Sequence, residues 1–79
     1  MDTKEKVIAI LAEIKPTKDL SGLNNIVEGG FLDSFELMQL ISLLSESFGV
    51  EIGIEEIAPE NFNSADAMAK MVDRLIAGK

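Results

Sequence analysis

The segment that decides the fold lies near the middle of the chain, where residues 33–49 read DSFELMQLISLLSESFG. Apolar side chains recur in it every three or four positions, the spacing of one buried helix face: Leu37, Leu40, Ile41, Leu44 and Phe48. Asp33 and Glu36 have the spacing of a capping box, which predicts a helix that starts at Ser34 with Asp33 as its N-cap. Gly49 is expected to end this helix, because glycine readily adopts the left-handed conformation found there.

Two further helices are predicted, one on each side of this segment. The first runs from about Thr3 to Ile14 and is stopped by Pro16, which cannot continue a helix. The last begins after Asn63 or Ser64, either of which could be its N-cap. Its apolar positions are expected to be buried: Ala65, Met68, Ala69, Val72, Leu75 and Ile76.

A long loop is predicted between the first two helices, because residues 17–32 are rich in glycine, asparagine and serine. We expect its apolar side chains to pack across the helices: Leu20, Leu23, Ile26, Val27 and Phe31. Beyond the second helix, residues 50–52 form an extended connector, and residues 54–57 and 59–62 form short helical turns. The predicted fold is all-α, a small four-helix bundle of three main helices and one short helix, with all 79 residues in one domain.

The composition excludes several classes of function. The chain has no histidine and no cysteine, and so lacks the commonest general base, the commonest transition-metal ligand and the best nucleophile. We therefore expect neither catalysis by this chain alone nor a metal site. Apolar residues occur in short groups, never in a run of about 18, and the first residues are charged, so we expect no membrane span, no secretory signal and a cytoplasmic location.

Charge is distributed unevenly along the chain. Its net charge is −7, and residues 19–69 contain ten acidic residues and no lysine or arginine. This stretch would repel nucleic acid and anionic lipid, and its natural complement is a basic protein surface. The candidates for that contact are Glu36, Glu46, Glu51, Glu55 and Glu56. For each one singly, a solvated acidic face is an equally good interpretation.

The most informative side chain is that of Ser34, at the first position of the predicted second helix. A helix start favours an attached phosphate, because free N–H groups and the helix dipole point there. Gly29 and Gly30 would allow a large enzyme to approach the hydroxyl. The residues alone also fit an ordinary helix-start serine after a loop that ends in glycines. Phe35 and Met38 lie off the buried stripe, and we expect them to form a partly exposed apolar rim beside Ser34.

The sequence around Ser34 resembles a known family. Asp33-Ser34-Phe35 is similar to the Asp-Ser-Leu motif of acyl and peptidyl carrier proteins, and Phe48 follows Ser34 at the family's interval of 14 residues. The resemblance covers nearly the whole chain. It implies that Ser34 bears 4′-phosphopantetheine, that Asp33 and Phe35 belong to the attachment motif, and that an acyl or aminoacyl group is carried as a thioester. It also implies a monomer whose partners are a phosphopantetheinyl transferase, a loading ligase and acyl-accepting transferases or synthases.

The departures from the family pattern narrow the expected pathway. Phe35 replaces leucine, and the second helix has Gln39 and several serines where carriers of general fatty-acid synthesis tend to be acidic. These features resemble stand-alone carriers of D-alanine or of specialised biosynthesis. An alternative function of a different class is that of an acidic helical adaptor, which binds a basic protein and is never modified. A hydrolase that uses Ser34 is set aside, because no base accompanies the hydroxyl.

Overall fold

The computed structural model describes residues 2–78, and every regular element in that range is helical. Four α-helices and one 3₁₀ turn follow each other along the chain: α1 (Thr3–Ile14), α2 (Ser34–Phe48), the 3₁₀ turn (Ile54–Glu56), α3 (Pro59–Phe62) and α4 (Ala65–Ala77). The prediction of an all-α bundle with three main helices and a long first loop is confirmed. Across residues 2–78, no helix has the length and apolar character needed to cross a bilayer.

Capping residues fix the ends of the helices. Asp2 caps α1 in a capping box with Glu5. Gly49 closes α2 in the left-handed conformation, with φ of 64°. Of the two candidates for the cap of α4, Ser64 is the one whose side chain accepts the N–H of Ala67, at 3.0 Å.

The core lies where α1, α2 and α4 pack together, and the predicted stripe of α2 supplies its centre. Leu40 and Leu44 are fully buried, whereas Leu37 and Phe48, toward the two ends of the helix, are only partly covered. On α4 the expectation is wrong at Ile76, which is 42% exposed, and Leu75 is only partly covered. The last turn of α4 extends past the core, so its apolar positions keep contact with water.

Met71 is a core residue that the pattern missed. It is fully buried, and it lies three positions after the buried Met68, which places both on one face of α4.

The long loop packs on the helices as expected. Leu20, Ile26 and Leu32 are buried, and three more apolar side chains of the loop are partly covered by the core: Leu23, Val27 and Phe31. Local hydrogen bonds close the beginning of the loop. Both the hydroxyl and the backbone N–H of Ser21 donate to Asp19, at 2.6 and 3.0 Å, and these bonds lower the pKa of that carboxyl.

Asn63, considered in the sequence only as a possible cap, holds the end of the loop against the junction of α3 and α4. Its Oδ1 accepts the N–H groups of Val27 and Glu28, both at 3.0 Å, and its Nδ2 donates to a carboxylate oxygen of Glu28 at 2.8 Å. Its backbone carbonyl accepts the N–H of Ile26 at 2.9 Å. The loop that leads to α2 is therefore anchored by both the side chain and the backbone of one residue.

Candidate functional site

The start of α2 is held in shape by reciprocal hydrogen bonds. Asp33 Oδ1 accepts the N–H of Glu36 at 2.8 Å, and Glu36 Oε1 accepts the N–H of Asp33 at 3.0 Å. Ser34, the first residue of the helix, is exposed, and within residues 2–78 its hydroxyl has no hydrogen-bond partner. The turn therefore presents a free hydroxyl from a backbone fixed on both sides.

The two glycines before this turn differ in what they allow. A Cβ at Gly29 would lie 2.6 Å from the carbonyl oxygen of Asn25 and 2.8 Å from the ring of Phe31, so this position requires glycine for close packing. Gly30 has φ of 74°, the left-handed conformation that side chains disfavour, and open space lies where its Cβ would point. Both residues shape the approach of the chain to Asp33. Access for a large enzyme at this point stays a prediction.

Phe35 and Met38 lie on the solvent side of α2, as the sequence indicates. They are 72% and 57% exposed, and together with Gln39, Ser42 and Leu43 they line a shallow groove. Apolar side chains of this size are costly to leave in water, and their exposure beside an accessible serine is typical of a surface that a partner covers.

The five acidic candidates fall into two groups. Glu36 forms an ion pair with Lys15, with Nζ and Oε2 3.0 Å apart, and Glu56 forms one with Arg74. Glu46, Glu51 and Glu55 are exposed, and within residues 2–78 none of them forms an ion pair. Of the five candidates, only these three carry charge that no cation among residues 2–78 neutralises.

Two of these unpaired acids lie at one groove. The groove is lined by Glu46 and other residues of α2 on one side and by Glu51 and Ile52 after the helix. Nearby in the chain, Ile54 is 85% exposed, a feature that the sequence did not single out. The only signal for it is its place between Gly53 and Glu55 in a short turn, which is too brief to define a buried face.

A third cleft, lined by apolar residues, lies between the end of the loop, α2 and α3. It is lined by Leu37, one helical turn after Ser34, and by Val27, Ile57, Ala58, Pro59 and Phe62. Such a cleft can hold a small apolar group and offers a charged group no partner. Within residues 2–78, no cluster of three or more acidic side chains is arranged to hold a metal ion.

Comparisons with known proteins identify the family to which the chain belongs. The family profile described as "phosphopantetheine attachment site" matches residues 5–72. A D-alanyl carrier protein of Lactobacillus acidophilus is 30% identical over 77 residues, which cover 95% of this chain and 96% of that protein. The D-alanyl carrier proteins of two strains of Lactobacillus delbrueckii subsp. bulgaricus are 24% identical over 76 residues, with 95% of each chain covered. The resemblance to carrier proteins predicted from the sequence is confirmed.

Proposed function

This chain belongs to the family of proteins defined by the phosphopantetheine attachment site, and we propose that it is a carrier protein whose cofactor is attached to Ser34. The domain of this family is the site at which 4′-phosphopantetheine is covalently attached. The observation that supports Ser34 is its placement, as a free and exposed hydroxyl at the capped start of α2 within the matched residues.

The chain's own residues present the hydroxyl and do not activate it. No histidine or cysteine is available to take the proton of Ser34, and the neighbouring carboxylates of Asp33 and Glu36 accept the N–H groups of the capping box, so we assign the base to the transferase. Ser34 Oγ forms the new bond to the phosphorus of coenzyme A's pantetheine phosphate, its proton passes to the transferase, and adenosine 3′,5′-bisphosphate leaves. Once attached, the cofactor supplies a flexible arm with a terminal thiol, on which an acyl or aminoacyl group is held as a thioester.

We propose a dedicated biosynthetic pathway for this carrier, with a ligase that loads it and an acceptor enzyme that receives the group. The similarity to D-alanyl carrier proteins supports an aminoacyl cargo. The surface of α2 supports a dedicated pathway, because Gln39, Ser42 and Ser47 are exposed there in place of acidic residues. Partner enzymes would meet the rim of Phe35 and Met38 beside the arm.

Modification is the first test of this proposal. After incubation with coenzyme A and a broad-specificity phosphopantetheinyl transferase, the intact protein is expected to gain the mass of one phosphopantetheine unit. An acidic adaptor that is never modified would gain none, so an unchanged mass under conditions that convert a known carrier completely would overturn the proposal.

The choice of pathway has its own test. Because steering by basic partners depends on the number of acidic groups near the docking site, the phosphopantetheine-bearing protein is expected to be a poor substrate for malonyl loading and elongation by a fatty-acid synthase system. A D-alanine-activating ligase is expected to load it efficiently. Equal kcat/KM for this protein and the synthase system's own carrier, at the same low ionic strength, would contradict a dedicated pathway.

A further inference from the structure

A lysine from the end of α1 reaches the start of α2. Lys15 is the residue that closes α1, and its Nζ lies 3.2 and 3.0 Å from the two carboxylate oxygens of Glu36. The side chains are 33% and 19% exposed, so the pair is partly shielded from water. The contact joins two helices that are separated in sequence by the long loop of residues 17–32.

The carboxylate that Lys15 holds also caps the helix. Glu36 Oε1 accepts both the ammonium of Lys15 and the backbone N–H of Asp33, the residue directly before Ser34. The ammonium, the carboxylate and the N–H form one continuous series from the end of α1 to the turn that presents Ser34. A cation that fixes the orientation of this carboxylate fixes the geometry of the turn as well.

We propose that Lys15 is a positioning residue for modification of Ser34, acting through Glu36. The assignment rests on the proposed function of Ser34. A transferase that finds the turn already in place loses less free energy in ordering it, so preorganisation raises the rate of productive encounter. The charge of Lys15 alone would act in the opposite direction, since a cation beside the site weakens the attraction of an acidic carrier for a basic enzyme.

Positioning and electrostatic steering predict opposite effects on the rate when the charge of Lys15 is removed. A double-mutant cycle therefore distinguishes them. Lys15→Met removes a positive charge and Glu36→Gln removes a negative one, and glutamine keeps the capping box. If Lys15 positions the turn, both single variants lower kcat/KM for phosphopantetheine transfer by roughly two- to fivefold, the range of a partly exposed ion pair. The double variant is then no slower than either single one, and Lys15→Arg restores most of the rate.

The matched control is Lys4→Met, which makes the same change of charge at an exposed lysine that forms no ion pair within residues 2–78. Lys18 is unsuitable as a control, because its Nζ lies 5.2 Å from the ring centroid of Phe31, close to the turn. Lys4→Met is expected to leave kcat/KM unchanged when the salt concentration is high enough to screen surface charges. Amide hydrogen exchange at Asp33 and Glu36, whose N–H groups form the capping box, is expected to speed up in Lys15→Met and not in Lys4→Met.

Two results would overturn the assignment. Opposite shifts in the two single variants, with the rate restored in the double variant, would mean that only electrostatic steering is at work. Equal rates in all the proteins would mean that the contact has no role in modification. Circular dichroism of each variant shows whether it is folded, and Lys15→Gln replaces Lys15→Met in the cycle if the latter is not. If the unaltered protein gains no phosphopantetheine, the proposed function itself fails and this assignment falls with it.

Discussion

Ser34→Ala is expected to abolish the gain of phosphopantetheine and to leave the fold intact. Among the other serines, the hydroxyls of Ser21 and Ser45 donate hydrogen bonds to Asp19 and to the carbonyl of Val50, at 2.6 and 2.5 Å. Ser42 and Ser47 are exposed but lie away from the capped start of α2. The hydroxyl of Ser64 caps α4. Alanine is a good helix former, and Ser34 is exposed, so the free energy of unfolding is expected to change by no more than about 0.5 kcal/mol. Intact mass and a thermal melt measure the two effects.

Ser47→Ala is the matched control, because Ser47 is exposed on the same helix but lies near its other end, outside the groove of Phe35 and Met38. That variant is expected to be modified completely. A full gain of mass in Ser34→Ala would place the attachment site elsewhere. Loss of the gain in both variants would show that the serines of α2 act through the transferase contact and not through bond formation.

The features of the site that could be predicted are those that depend on neighbours in sequence. A capping box needs only Asp33 and Glu36 three positions apart, so the start of α2 at Ser34 follows from local spacing. The buried stripe through Leu40 and Leu44 follows in the same way from helical periodicity.

The features that could not be predicted depend on which distant segments meet. No local pattern predicts which glutamates form ion pairs. Glu36 is paired with Lys15, whereas Glu51 is exposed and forms no ion pair among residues 2–78. The same holds for Asn63, whose bonds to Val27 and Glu28 span 36 and 35 residues. Ile76 is exposed although its position on the helix predicts burial. Periodicity shows on which face of a helix a residue lies, but not how far along the helix the neighbouring elements cover that face.

Because α2 has a buried face and an exposed rim, truncation to alanine is expected to reduce stability on the buried face and to slow phosphopantetheine transfer at the rim. Leu44 is fully buried among α1, α2 and α4, so Leu44→Ala is expected to lower the free energy of unfolding by about 2–5 kcal/mol. That is a large part of the total stability of a small domain. Leu40→Ala is expected to behave in the same way, because Leu40 is buried to the same degree. Denaturant unfolding followed by circular dichroism measures both.

Met38 is 57% exposed, so Met38→Ala opens no cavity and is expected to lower the free energy of unfolding by less than about 1 kcal/mol. The side chain of Met38 lies one turn after Ser34, in the groove that it shares with Phe35. Its loss removes apolar contact area from the partner surface, so the expected effect of Met38→Ala is on the rate of transfer. Slower phosphopantetheine transfer to folded Met38→Ala would support that surface. Equal destabilisation by Met38→Ala and Leu44→Ala, with transfer to Met38→Ala as fast as to the unaltered protein, would mean that the rim packs in the core and meets no partner.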